Sequence, residues 1–178
     1  MNLIPDPPQD QLLLLLAGRG GARPVLREII ARFALLGPLV VLDGGNGFDA
    51  YGLARLIRRK TPDVEAVLRR IWLARAFTCY QVLALLRGAL PDRQPKVVMD
   101  LLATFQDDSV DPVDKDFLLQ ESLDLLIRLS RSAPVIVSVH PPAGPAPEFN
   151  RMLDLVREAA SALIIQEDPA GPVQPRLF

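Results

Sequence analysis

The sequence predicts a three-layer α/β domain, doubly wound, with a mostly parallel sheet and helices on both faces. Three observations predict it. The strand candidates are near-continuous apolar runs, the pattern of strands buried on both sides. Each run is followed by a longer amphipathic segment of helical period, and the alternation repeats five times. The 17 prolines in 178 residues are nearly twice the usual share of about 5%, and none falls inside a proposed strand.

Gln11–Ala17 is the first strand, closed by a glycine-rich turn at Gly18–Gly21. Pro24–Leu36 is a helix, with Pro in its first turn and Leu26, Ile29, Ile30, Phe33 and Leu36 on one face. Leu39–Asp43 is the second strand, ending at Gly44-Gly45-Asn46-Gly47. Asp49–Arg59 is a helix with a basic outer side, Thr61-Pro62-Asp63 a turn and Val64–Leu68 a short helical piece. Ile71–Ala74 reads as the third strand, with Trp72 packed between strand and helix. Phe77–Leu90 is a helix with Cys79 in its core, and Lys96–Leu101 the fourth strand. Asp116–Arg131 is a long helix, Val135–Val139 the fifth strand, Glu148–Glu158 a helix and Ala162–Gln166 the last strand. No linker divides the chain, so one domain is expected over residues 11–166, with flexible ends at 1–10 and 167–178.

The net charge is −1, from 20 Lys+Arg and 21 Asp+Glu, which excludes binding to nucleic acid by bulk positive charge. One Cys cannot form an internal disulfide, and one His with one Cys leaves almost nothing for a zinc site. The longest apolar run, Leu12 to Ala17, is far too short to span a bilayer. A soluble, cytoplasmic protein that uses no membrane is the expectation.

A strand, a glycine-rich turn and a helix at the start of such a sheet occupy the position of a P-loop, which reads G-x-x-x-x-G-K-[ST]. Here the segment is Ala17-Gly18-Arg19-Gly20-Gly21-Ala22-Arg23-Pro24. Arg23 stands for the Lys, and Pro24 for the hydroxyl residue, without a hydroxyl or an N–H. Further along, Val40–Phe48, Ile71–Gln81 and Val97-Val98-Met99-Asp100 resemble, in order and spacing, the core strands of the RecA/RadA recombinase family. Ala74-Arg75-Ala76-Phe77 with Gln81 is the most specific piece, and Val97–Asp100 resembles the Walker B strand. The resemblance implies a RecA-like, P-loop-type core with a degenerate Walker A motif.

The departures are as informative. The family's catalytic acid falls at Gly45, which has no side chain. Its γ-phosphate sensor falls at or near His140. Lys, Mg²⁺-binding hydroxyl and catalytic acid are all missing. Gln106–Asp116, in the place of one DNA loop, holds five Asp and one Lys, which disfavours nucleic acid. Pro141–Pro147, in the place of the other, carries neither a cation nor an aromatic ring.

The resemblance therefore implies a non-catalytic relative, a pseudo-ATPase with no cofactor. It would act as a binding or scaffolding protein in DNA recombination or repair, with a protein partner or as a homo-oligomer. Two alternatives stay open. One is a divergent ATPase or nucleotide binder, holding ATP and Mg²⁺ on a vestigial site of Gly18, Gly20, Gly21, Arg23 and Asp100. The other is a DNA-binding accessory protein using an anion patch of Arg55, Arg58, Arg59, Lys60, Arg69 and Arg70. Each of these residues also has a plain structural reading. Arg23 can be a surface charge, Asp43 a turn residue, Asp100 a loop-capping carboxylate, His140 a structural histidine and the basic set a solvated face.

Overall fold

The computed structural model describes residues 12–17, 22–142 and 144–166. Six strands, β1 (Leu12–Ala17), β2 (Leu39–Asp43), β3 (Ile71–Arg75), β4 (Lys96–Met99), β5 (Val135–Val139) and β6 (Ala162–Gln166), form one sheet in the order β3-β2-β4-β5-β1-β6. Every neighbouring pair is parallel. The helices are α1 (Arg23–Leu36), α2 (Ala50–Arg58), α3 (Val64–Leu68), α4 (Cys79–Gly88), α5 (Pro112–Ser130) and α6 (Pro147–Ala159), with a 3₁₀ turn at Ala103–Gln106.

The period of two along the strands builds a core on each face of the sheet. Leu39, Val41, Val97, Met99 and Ile136 point to one side, against Leu26 and Ile30 of α1, Leu53 and Ile57 of α2 and Val67 of α3. Leu42, Val98, Val135, Val137 and Val139 point to the other, against α4, α5 and α6. The three layers follow. Cys79 is buried in the second core, as its apolar surroundings predicted.

Three elements differ from the sequence reading. β3 is not a covered strand: it is the outer edge of the sheet, and Trp72 is 70% exposed rather than packed between strand and helix. An apolar pentapeptide reads the same at an edge and in the middle, because topology sets which of the two it is. α5 begins at Pro112, not Asp116, since Asp111 caps it by accepting the Val113 N–H at 2.8 Å and Pro suits a first turn. α4 begins at Cys79, two residues late, because Thr78 is its N-cap and accepts the Gln81 N–H at 3.2 Å. Among the described residues no helix is long and apolar enough to cross a membrane.

The exposure of β3 has a direct test. Trp72→Ser is expected to change unfolding free energy by no more than about 0.5 kcal/mol, measured by urea denaturation. A loss of several kcal/mol, on the scale of a buried Trp, would place the ring in the core after all.

Candidate functional site

In a parallel sheet, ligands bind beyond the carboxyl ends of the strands, where neighbouring connections leave towards opposite faces. Here β1 and β2 lead into α1 and α2 on one face, while β4 and β5 lead to α5 and α6 on the other. The crevice therefore opens over β1, β5, β4 and β2. β5 lies between β1 and β4, so the residues following these three strands share one end of the sheet.

The corner after β2 is held from inside. Asp43 is fully buried, and its carboxylate accepts the N–H groups of Gly47 at 2.9 Å and Phe48 at 3.0 Å. Arg75 reaches it from β3, Nε to Oδ2 3.4 Å, and the Asp43 carbonyl accepts the Ala76 N–H at 3.1 Å. Asp43 is thus the turn residue its position suggested. The distinctive Ala74–Gln81 segment has local work as well. Arg75 braces Asp43, while Gln81 reaches back with its side-chain oxygen to accept the Phe77 N–H at 2.7 Å, completing a cap with Thr78.

Asp100 follows β4 with φ of 51°, in the left-handed region that few L-residues adopt. Its N–H donates to Ser138 Oγ at 2.9 Å, and the next N–H, of Leu101, to the Ser138 carbonyl at 3.0 Å, tying the turn to β5. Its carboxylate lies over Gly45. A Cβ placed on Gly45 would come within 2.5 Å of Asp100 Oδ2 and 2.6 Å of Asp100 Cβ. The position that the resemblance gives to a catalytic acid is therefore filled by the side chain of Asp100. Burial pushes the Asp100 carboxyl above the ordinary range; His140 and Arg23 pull it down and Asp43 pushes it up. Those electrostatic links place Asp100, His140, Arg23 and Asp43 in one neighbourhood. His140 itself is exposed at the end of β5.

Arg23 opens α1, and its guanidinium packs against Gly47: a Cβ there would sit 3.0 Å from Arg23 Nε. Gly18, Gly20 and Gly21 lie outside the described residues. The described donors do not fit a magnesium–phosphate group. Pro24 offers neither hydroxyl nor N–H, and burial pushes the Asp100 carboxyl above the ordinary range. Among the described residues no three His, Cys, Asp or Glu side chains converge as metal ligands would.

Three of the six residues of the expected anion patch have partners within the protein. Arg70 donates from Nη1 to the carbonyls of Ala34 and Leu35, both at 3.1 Å, closing the end of α1, and Arg69 pairs with Glu65. Arg55 lies over the Tyr51 ring, 5.8 Å from its centre. The acidic stretch before and into α5 is largely structural. The Ser109 side chain, with the Ser109 N–H that Asp107 accepts, holds the Asp107 carboxyl below the ordinary range. Asp111 is a cap, and Asp116 makes two bonds of 2.6 Å to Arg151. Its one cation, Lys115, is only 2% exposed and faces Glu148 at 3.4 Å, so the stretch presents acid without base to solvent.

A cavity of about 430 Å³ opens between the start of α1, the corner after β2 and α2, with Arg23, Arg27, Phe48 and Leu53 in its lining. Sequence reasoning missed this grouping, because Arg23 and Arg27 of α1 look like ordinary surface charge and Phe48 and Leu53 come from another segment.

Two outcomes test the site. Gly45→Ala is expected to cost about 1–3 kcal/mol by overpacking against Asp100, and to become nearly neutral in an Asp100→Gly background. An equal cost in both backgrounds would remove the contact as its cause. The second concerns pH. A carboxyl held above its ordinary range favours the fold at low pH and loses that contribution as pH rises through its raised value. Asp100→Asn is therefore expected to be more stable than wild type at neutral pH, with the gain fading below the ordinary aspartate range; thermal unfolding across pH reads it. A gain that stayed constant with pH would assign it to backbone geometry instead. Compared with models of known families and with curated proteins, the sequence gives no match, so the reading of this site rests on its geometry.

Proposed function

We propose that the chain is a non-catalytic RecA/RadA-like paralogue that works by binding a protein partner, in the setting of DNA recombination or repair that the resemblance supplies. The observation that carries the reading is the Asp100 carboxylate over Gly45. A general base has to stand beside its water, and here the space over position 45 is closed by the Asp100 side chain. Two further features support it. The strand ending at His140 lies between the one entering the glycine-rich turn and the one ending at Asp100, the order in which a sensor, a phosphate loop and a Walker B Asp would face one ligand. And β3 leaves an apolar edge uncovered, with Trp72, Leu73, Phe77 and Tyr80 exposed on it and at the start of α4. An exposed, apolar edge strand invites pairing with another chain.

The experiment is co-purification with a recombinase core, beside an ATP turnover assay. The expected result is a complex that Trp72→Ser with Leu73→Ser abolishes while the chain stays folded, and no turnover above background. Recovery of monomer alone, with and without candidate recombinases, overturns the binding role. Turnover lost in Arg23→Ala overturns the non-catalytic one.

A further inference from the structure

The arginines that the sequence spreads over two segments come together along one groove. The cavity between α1 and α2 has a buried apolar floor of Ile30, Leu53 and Met99, with Phe48 at its side and Arg23 and Arg27 at its mouth. A second hollow of about 330 Å³ continues from it past Pro24 and Arg27, and Arg55 and Arg59 line its far end. Four arginines face two carboxylates, Asp49 and Glu28, along the two hollows. Asp49 is already engaged. It pairs with Arg27 at 2.6 Å and accepts the Gly52 N–H at 2.8 Å, which hold its carboxyl below the ordinary range.

Two glycines seat two of these arginines. A Cβ at Gly47 would press on the Arg23 guanidinium, and a Cβ at Gly52 would collide with both Arg27 and Asp49. The guanidinium groups of Arg23 and Arg27 therefore lie against bare backbone beside the cavity, and Arg23 stays exposed to solvent on its other side. Guanidinium groups fixed in this way lose less freedom when they grip an oxyanion, and their planar fork matches phosphate. A pocket of this size with an apolar floor and a few placed polar groups is the usual form of a small-molecule site.

We propose that the α1–α2 groove binds a small organic phosphate with an apolar or aromatic body, the body over Ile30, Leu53 and Phe48 and the phosphates along Arg23, Arg27, Arg55 and Arg59. This site lies on the helical face beside the strand ends. It is independent of the non-catalytic reading, since it requires no hydrolysis.

Calorimetric titration of the full chain with ADP, pyrophosphate and adenosine tests the proposal. ADP is expected to bind saturably and more tightly than either pyrophosphate or adenosine, and to weaken with added salt. Arg55→Glu with Arg59→Glu, both exposed, is expected to raise the ADP Kd about tenfold or more while the melting temperature of the free protein stays unchanged. Gly20→Val in the glycine-rich turn is expected to leave the Kd unchanged. Affinity untouched by the arginine pair overturns the proposal, as does loss of binding in Gly20→Val alone. Pyrophosphate binding as tightly as ADP removes the apolar body. No saturable binding of ADP at millimolar concentration removes the site. If the arginine pair proves unstable, Leu53→Phe, which fills the floor, has to weaken ADP more than pyrophosphate for the assignment to stand.

Discussion

One buried carboxylate fixes the working end of this molecule. Asp43 ends β2 with no exposure to solvent, and its oxygens take up the N–H groups of Gly47 and Phe48. A carboxylate out of water has to be satisfied by such donors or it destabilises the fold. In being satisfied it dictates the path of Gly44–Phe48. Gly45 is thereby laid under Asp100 and Gly47 under Arg23. Arg75 and the Ala76 N–H add the edge strand to the same anchor, so the crevice, the groove and the exposed edge all refer back to one side chain.

The arrangement separates two properties that usually travel together in α/β proteins. The sheet keeps a ligand-binding architecture, with its connections parting over β1, β5, β4 and β2. The groups gathered there are turned towards holding the protein together. Ser138 secures the Asp100 turn, and Gln81 and Thr78 cap α4. Among the described residues, the exposed apolar edge and the arginine-lined groove lie to the sides of this end.

Much of the layering was legible in the sequence, because continuous apolar runs and helical periods are local signals. Five of the six strands start within a residue of where hydrophobicity and proline placement put them, and β3 also starts where expected. Its exposure was not legible, since an edge is a property of strand order. The start of α5 was hidden because Pro112 suits a turn as well as the first residue of a helix, and only the Asp111 cap decides between them. Arg70 read as one more patch cation, because its acceptors lie 35 and 36 residues away. The absence of a side chain at Gly45 was plain from the sequence; that Asp100 occupies the vacant volume needed coordinates.

The packing of Asp100 on Gly45 also constrains the history open to this protein. A side chain cannot enter position 45 while that of Asp100 lies over it, whereas the link to β5 runs through the Asp100 backbone N–H and does not need the Asp100 side chain. The pair therefore has an order of substitution built in: position 100 has to become small before position 45 can gain a side chain.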